Sequence, residues 1–237
     1  MDFAKTIPVI WESLPFILGG ITWTLSLVFG AMLLGLCLGI PLAVGQVYGT
    51  RTVRGCIGIY VWLFRGIPIL VQLYLFYFGI LAYLSQVPSL AGLGLDSAFL
   101  AALLVLGLTS AAYQSQIFRG SIQALPEGQL KAAQALGMTE SQAVRSIILP
   151  QALRLSIPGW SNEYSILLKD SALAFAIGVM EIMSRTRTVA ALTHEPLPFA
   201  LVAGVLFYLL THMGIRALKT LERKVRIPGY ARQGSMS

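Results

Sequence analysis

Asn162, Glu163, Lys169, Asp170 and Ser171 place charged and polar side chains within one largely apolar stretch. On a helix Asn162 and Lys169 lie seven residues apart, as do Glu163 and Asp170, so each pair falls nearly on one face and the two faces adjoin. The result is a polar stripe about 10 Å long by helix rise. The two carboxylates can accept hydrogen bonds from cationic groups, while Asn162, Lys169 and Ser171 can donate to an anionic one. Such a stripe suits a small solute that carries both an ammonium and a carboxylate, and two acids against one base tilt it toward a basic solute. The competing reading is structural: Lys169 pairs with Asp170, Glu163 or a neighbouring subunit's carboxylate and holds a bundle together.

These groups have to be positioned by a membrane. Of the residues, 56% are hydrophobic and only 11% charged, far from soluble averages and typical of a polytopic membrane protein. Ser13 to Thr50 carries no charge, well beyond the roughly 20 residues that cross a bilayer. Charge-free windows predict five spans at about 18–47, 66–86, 97–117, 155–180 and 197–215, an all-α fold in which only the fourth span holds internal charges. Intramembrane charges are costly and face a bundle interior or a water-filled route, which makes the stripe a candidate solute pathway. Gln72, Tyr113, Gln114 and Gln116 either line the same route or hydrogen-bond between helices. Residues 57–64 are expected to form an interfacial or entering helix that turns before Pro68.

Arg51, Arg54 and Arg65 mark one side of the membrane. Two crossings later come Arg119, Lys131, Arg145 and Arg154, and two more lead to Arg216, Lys219, Arg223, Lys224, Arg226 and Arg232. Lys and Arg are retained in cytoplasmic loops, so the expected topology has the N-terminus outside and the C-terminus cytoplasmic. Lys5, Arg185 and Arg187 fall on the other side.

The loop at about 118–154 is the longest expected cytoplasmic segment. Pro126, Glu127 and Gly128 open a short helix through Gln129, Lys131, Ala132 and Ala133 that stops at Gly137. Thr139 and Gln142 fit a capping box for a second helix, with an apolar stripe ending before Pro150. A hairpin lying on lipid headgroups is one reading. The small side chains of Ala132, Ala133, Ala135 and Gly137 favour close approach of a partner surface instead.

The motifs around this loop resemble a known family, the permease subunit of ABC importers for polar amino acids of the histidine, glutamine, arginine and opine group. Leu125-Pro126-Glu127-Gly128-Gln129, Ala132-Ala133, Gly137 and Ile148-Leu149-Pro150 resemble its cytoplasmic "EAA" loop. Arg65-Gly66-Ile67-Pro68 with Gln72, Phe118-Arg119-Gly120, Asn162-Glu163 through Ser171, and Met180-Glu181 extend the resemblance over most of residues 15–225. Lys131 and Gln116 depart from it, each standing where relatives carry Glu. The resemblance implies a type I importer permease fold: one transmembrane domain over residues 1–237, multi-pass in the inner (cytoplasmic) membrane, with residues 126–137 as coupling helix. It implies as partners two ATP-binding subunits, a second permease subunit, similar or identical, a periplasmic or extracellular solute-binding protein, an amino-acid substrate and membrane lipid. ATP and Mg would be bound by the partner, since this chain has no GxxxxGK[ST] loop.

Other functions fit less well. The net charge of +7 comes from bases in loops between apolar segments rather than on one soluble face, so no nucleic-acid partner is expected. His194 and His212 are isolated, and Cys37 and Cys56 lack a CxxC spacing, so neither a metal site nor a disulfide is expected. An intramembrane enzyme would need more than Glu163 and Asp170, and HExxH and GxSxG are both missing. A stand-alone secondary transporter or channel driven by an ion gradient is the remaining alternative, but no inverted repeat is visible.

Overall fold

The computed structural model describes residues 3–225, and its described secondary structure is entirely helical. Arg226 and Arg232 lie outside the described residues. In chain order the helices are α1 (Phe3–Tyr48), α2 (Arg51–Gly66), α3 (Ile69–Tyr74), α4 (Ala82–Leu84), α5 (Ala98–Gln123), α6 (Gly128–Ala135), α7 (Glu140–Ala143), α8 (Leu149–Asp170), α9 (Ile182–Thr193) and α10 (Pro196–Val225). π-Helical turns at Leu75–Leu81 and Val144–Ile148 join α3 to α4 and α7 to α8, and 3₁₀ segments cover Pro88–Leu93 and Ser171–Ile177.

Among the described residues three helices are long and apolar enough to cross a bilayer: Ile7–Tyr48, Ala98–Gln123 and Pro196–Val225. Arg51–Gly66 and Ile69–Leu84, meeting at 103°, are apolar enough only as a pair, a broken span or a re-entrant loop, so length and composition give three or four crossings where five were expected, and the expected fourth span at 155–180 is not among them. Pro68 causes the break: it disfavours a helical conformation at Ile67, which is extended at φ −94° and ψ 132°. The entering helix expected at 57–64 is thus part of α2 and turns where the proline requires.

The expected fourth span, 155–180, is not one α-helix. It begins earlier, at Leu149, and ends at Asp170. The Ser171 hydroxyl donates to the Leu168 carbonyl at 2.7 Å, and a tighter 3₁₀ segment follows from Ser171 to Ile177, closed by Gly178 at φ 95°. The helix expected to stop before Pro150 instead runs on into α8. Pro150 follows the π-helical turn at Val144–Ile148, so the widened ladder ahead of it, rather than a helix stop, takes up its missing N–H.

α1 is the spine, and three clusters of buried side chains are stacked along it. Ile17 packs with Val189 and Phe199. Leu27 to Met32 join α5 and the 3₁₀ segment in the middle. Ala43 meets Phe118, Leu125 and Ile148 at the other end. The α1–α5 contact is close because Ala31, Gly35, Gly39 and Ala43 repeat every four residues along one stripe, with both alanines fully buried. A Cβ on Gly35 would strike the Gln114 amide and lie 3.0 Å from Ser110 Oγ, and one on Gly39 would lie 3.1 Å from Gln114 Cβ.

G35L should therefore lower the thermal unfolding midpoint of the detergent-solubilised protein markedly, since overpacking a tight contact costs about 1–3 kcal/mol. G204L, at a position with open space around it, should unfold like the native chain; equal midpoints for G35L and G204L would refute this account of the α1–α5 contact.

Candidate functional site

Glu163 is the buried end of a polar chain that crosses three helices. Only 3% of it is exposed, and its Oε1 accepts the Ser110 hydroxyl at 2.7 Å. Gln114 donates from Nε2 to Ser110 Oγ at 3.0 Å and to the Met32 carbonyl of α1 at 3.1 Å. Its Oε1 accepts the Trp160 indole N–H at 2.8 Å. Every buried polar atom here has a partner, as burial demands.

The five-residue stripe does not stay together. Asn162, Ile166 and Lys169 lie on a face of α8 that is exposed in the single chain, while Glu163, Leu167 and, partly, Asp170 turn inward. Among the described residues Lys169 forms no ion pair within 4.0 Å, so the predicted internal pairing with Glu163 or Asp170 does not occur. Ser171 is buried and spends its hydroxyl on its own helix.

Arg65, rather than Lys169, is the base that lines a cavity on α5. Grouped above with the loop bases, it instead ends α2 at the break, its guanidinium carbon 4.7 Å from the centroid of the Tyr113 ring. Arg65, Tyr113 and Thr109 line a cavity of about 310 Å³. Gln72 does not line this cavity. It is buried at 3% exposure, donates to the carbonyls of Phe64 at 3.0 Å and Ile67 at 2.8 Å, and accepts from Thr109 at 3.0 Å, so it caps α2 and fastens the break to α5. Gln116 likewise bridges helices, donating to Gln46 of α1 at 2.9 Å and accepting from Arg119 at 3.2 Å. Thr109, Ser110 and Arg65 escaped the sequence reading. The available signal was polar spacing on α5: Thr109, Tyr113 and Gln116 on one face, Ser110 and Gln114 beside it.

The loop after α5 folds as the capping signals require. α6 spans Gly128–Ala135, Gly137 turns at φ 87°, and Thr139 with Gln142 forms a complete capping box. Gln129 and Gln151 exchange amide hydrogen bonds at 3.1 and 2.9 Å, clamping α6 to α8. One expectation changes: Ala133 faces inward at 2% exposure and seats α6, so it is not a docking residue. Pro126, Glu127, Gly128, Lys131, Ala132, Ala135 and Gly137 stay exposed, and Leu136 at the tip is 85% exposed. Lys131 lies 4.0 Å from Glu127 with both side chains in solvent, a contact of little energetic weight.

The profile described as "Binding-protein-dependent transport system inner membrane component" matches residues 35–227. The chain is 36% identical over 226 residues to an arginine transport system permease protein of Bacillus subtilis, covering 95% of this chain and 98% of that protein. It is 34% identical over 223 residues to a histidine/lysine/arginine/ornithine transport system permease protein of Salmonella typhimurium, covering 90% and 93%. Among solved structures, an amino acid ABC transporter crystallised with histidines matches with a TM-score of 0.77 and 28% identity over 94% of this chain and 99% of that one.

Replacing Gln72 by Leu should strand two carbonyls and the Thr109 hydroxyl at the helix break, at about 1–3 kcal/mol for each group left unpaired. The Q72L protein should melt at lower temperature in detergent than the native chain, whereas an unchanged midpoint would show that the break is held by Pro68 alone.

Proposed function

This chain belongs to the binding-protein-dependent transport system inner membrane component family and is a pore subunit of an ABC importer; from that premise we propose that it passes an amino acid with a cationic side chain into the cell. The observation that carries this reading is a buried carboxylate and a cavity-lining guanidinium served by successive residues of α5: Ser110 donates to Glu163, and Thr109 lines the cavity with Arg65. A carboxylate can accept from the solute's cationic group, and a guanidinium can take its carboxylate in a bidentate fork. The relatives named for arginine and for histidine, lysine and ornithine act on solutes of this kind. Asp170, partly buried at the end of α8, adds a second acceptor. Asn162 and Lys169, on the open face of α8, complete the route only against a second permease subunit.

The working assembly in this reading is two permease subunits in the cytoplasmic membrane, two ATP-binding subunits beneath them and a solute-binding protein on the far side. ATP and Mg are bound by the ATP-binding subunits. α6 is the coupling helix, presenting Ala132, Ala135, Leu136 and Gly137 to the ATPase while Ala133 and the Gln129–Gln151 pair hold it to α8. A displaced α6 would then drag α8 and the Glu163 network with it, the kind of rigid-element motion that alternates access.

Two variants separate these roles. L136E should lose the co-purifying ATP-binding subunit from solubilised membranes. E163Q should retain it and cut amino-acid uptake roughly ten- to a hundredfold, as a hydrogen bond to a charged group is worth about 1.5–3 kcal/mol. Uptake that survives ATP depletion but collapses with the membrane potential would overturn the ATP-driven reading.

A further inference from the structure

The bundle has two ends, and α1 measures the distance between them. Tyr48 packs in the cluster that holds the docking loop, whereas Thr24 accepts the Ile182 N–H at 3.2 Å and the Phe16 carbonyl accepts from Arg185 at 2.9 Å. From Gly20 to Tyr48 is about 42 Å by helix rise. The start of α9 therefore lies at the end opposite the docking loop, a full membrane thickness away.

A second cavity, of about 510 Å³, opens at that end. Tyr74 of α3, Phe175 of the 3₁₀ segment, and Ser184, Arg187 and Thr188 of α9 line it, the last three on one helical face. The two arginines of α9 differ sharply. Arg185 is used structurally, donating to the carbonyls of Met180 at 3.1 Å and Phe16 at 2.9 Å. Arg187 is exposed, rests on the Phe175 ring with its guanidinium carbon 4.3 Å from the centroid, and among the described residues has no hydrogen bond or ion pair. No carboxylate lines the cavity. Stacking leaves the donor edges of the guanidinium free and fixes their plane, which preorganises them for a carboxylate.

The geometry repeats across α3. Ile69 lines the Arg65 cavity and Leu70 the Arg187 cavity, and each arginine stands over an aromatic ring, at 4.7 Å and 4.3 Å. We infer that Arg187 forms an outer carboxylate-binding site, which receives the arriving amino acid by its carboxylate before the solute passes α3 to Arg65 and Glu163. This rests on the amino-acid reading above and adds a position and a residue to it.

The test is equilibrium binding of tritiated L-arginine to the purified permease–ATPase complex without its solute-binding protein, with L-argininamide as competitor. The native complex should prefer arginine over the amide at least tenfold. R187Q should weaken arginine binding at least tenfold and reduce that preference to the part Arg65 supplies, R187K should recover part of both, and R65Q should keep a preference that the R65Q/R187Q double variant loses. Equal affinity for acid and amide in the native complex, or a preference that is the same in R65Q and in R65Q/R187Q, overturns the Arg187 site and leaves the importer reading intact. Failure of the native complex to bind arginine at all overturns the proposed substrate class and the outer site with it. If R187Q binds arginine normally but its ATPase no longer responds to the solute-binding protein, Arg187 docks that protein instead, and the inference is overturned.

Discussion

The close approach of α1 to α5 is the contact on which the rest of this molecule depends. Between helices in a bilayer there is little hydrophobic drive, because lipid tails are as apolar as the side chains they would replace. Packing at short range and buried hydrogen bonds have to hold the bundle, and the Ala31, Gly35, Gly39, Ala43 stripe supplies the first. It also permits the second: with no side chain on Gly35, the Gln114 amide reaches the Met32 carbonyl and remains free to meet Ser110 and Trp160. Through Ser110 the same chain satisfies Glu163. A buried carboxylate is tolerable only when partnered, so the backbone spacing of two helices decides whether a charged group can be kept at this depth.

Similar economy operates at the other helix contacts. Gly214 of α10 makes room for the Tyr164 ring, whose hydroxyl donates to the Leu210 carbonyl at 3.0 Å. Gly20 lets α1 meet the backbone of Glu181 and Ile182, where the fully buried Glu181 caps α9 by accepting from Met183 at 2.7 Å and Ser184 at 2.6 Å. The outward face of α10, with Leu201, Val205, Tyr208 and Met213 exposed, and α2, with no buried residue, are left to lipid or to other subunits. α1, α5 and α8 interlock through polar contacts, the 3₁₀ segment at Ser171–Ile177 packs into the same central cluster, and Gln72 and the Gln129–Gln151 pair tie the Pro68 break and α6 to it.

Much of this was legible in order along the chain. The capping box at Thr139, the turn at Gly137, the break before Pro68 and the apolar lengths of the long helices are local facts, written in residues within a few positions of one another. Glu163 stood out because a carboxylate in an apolar run is rare. The end of α8 is not legible in the sequence because hydropathy continues smoothly through Ala172 to Val179 while the backbone tightens to a 3₁₀ segment and ends at the left-handed Gly178.

The chain by itself determined the family, the helical class, the rough extent of its longest apolar helices and the presence of a carboxyl group at depth, since these follow from composition, short-range propensity and motif spacing; it did not determine how many helices are long and apolar enough to cross, five being expected and three, or four with the bent pair, being found among the described residues. Only the tertiary structure decided which face each residue presents. It turned Glu163 inward and Lys169 outward, made Ala133 a seat rather than a contact, spent Gln72 and Gln116 on helix joints, and brought Arg65 over Tyr113. The physical reason is that a membrane helix is apolar on both its lipid side and its protein side, so hydropathy carries no record of orientation. That information lies in where glycines let two backbones meet, and it exists only once the helices are packed.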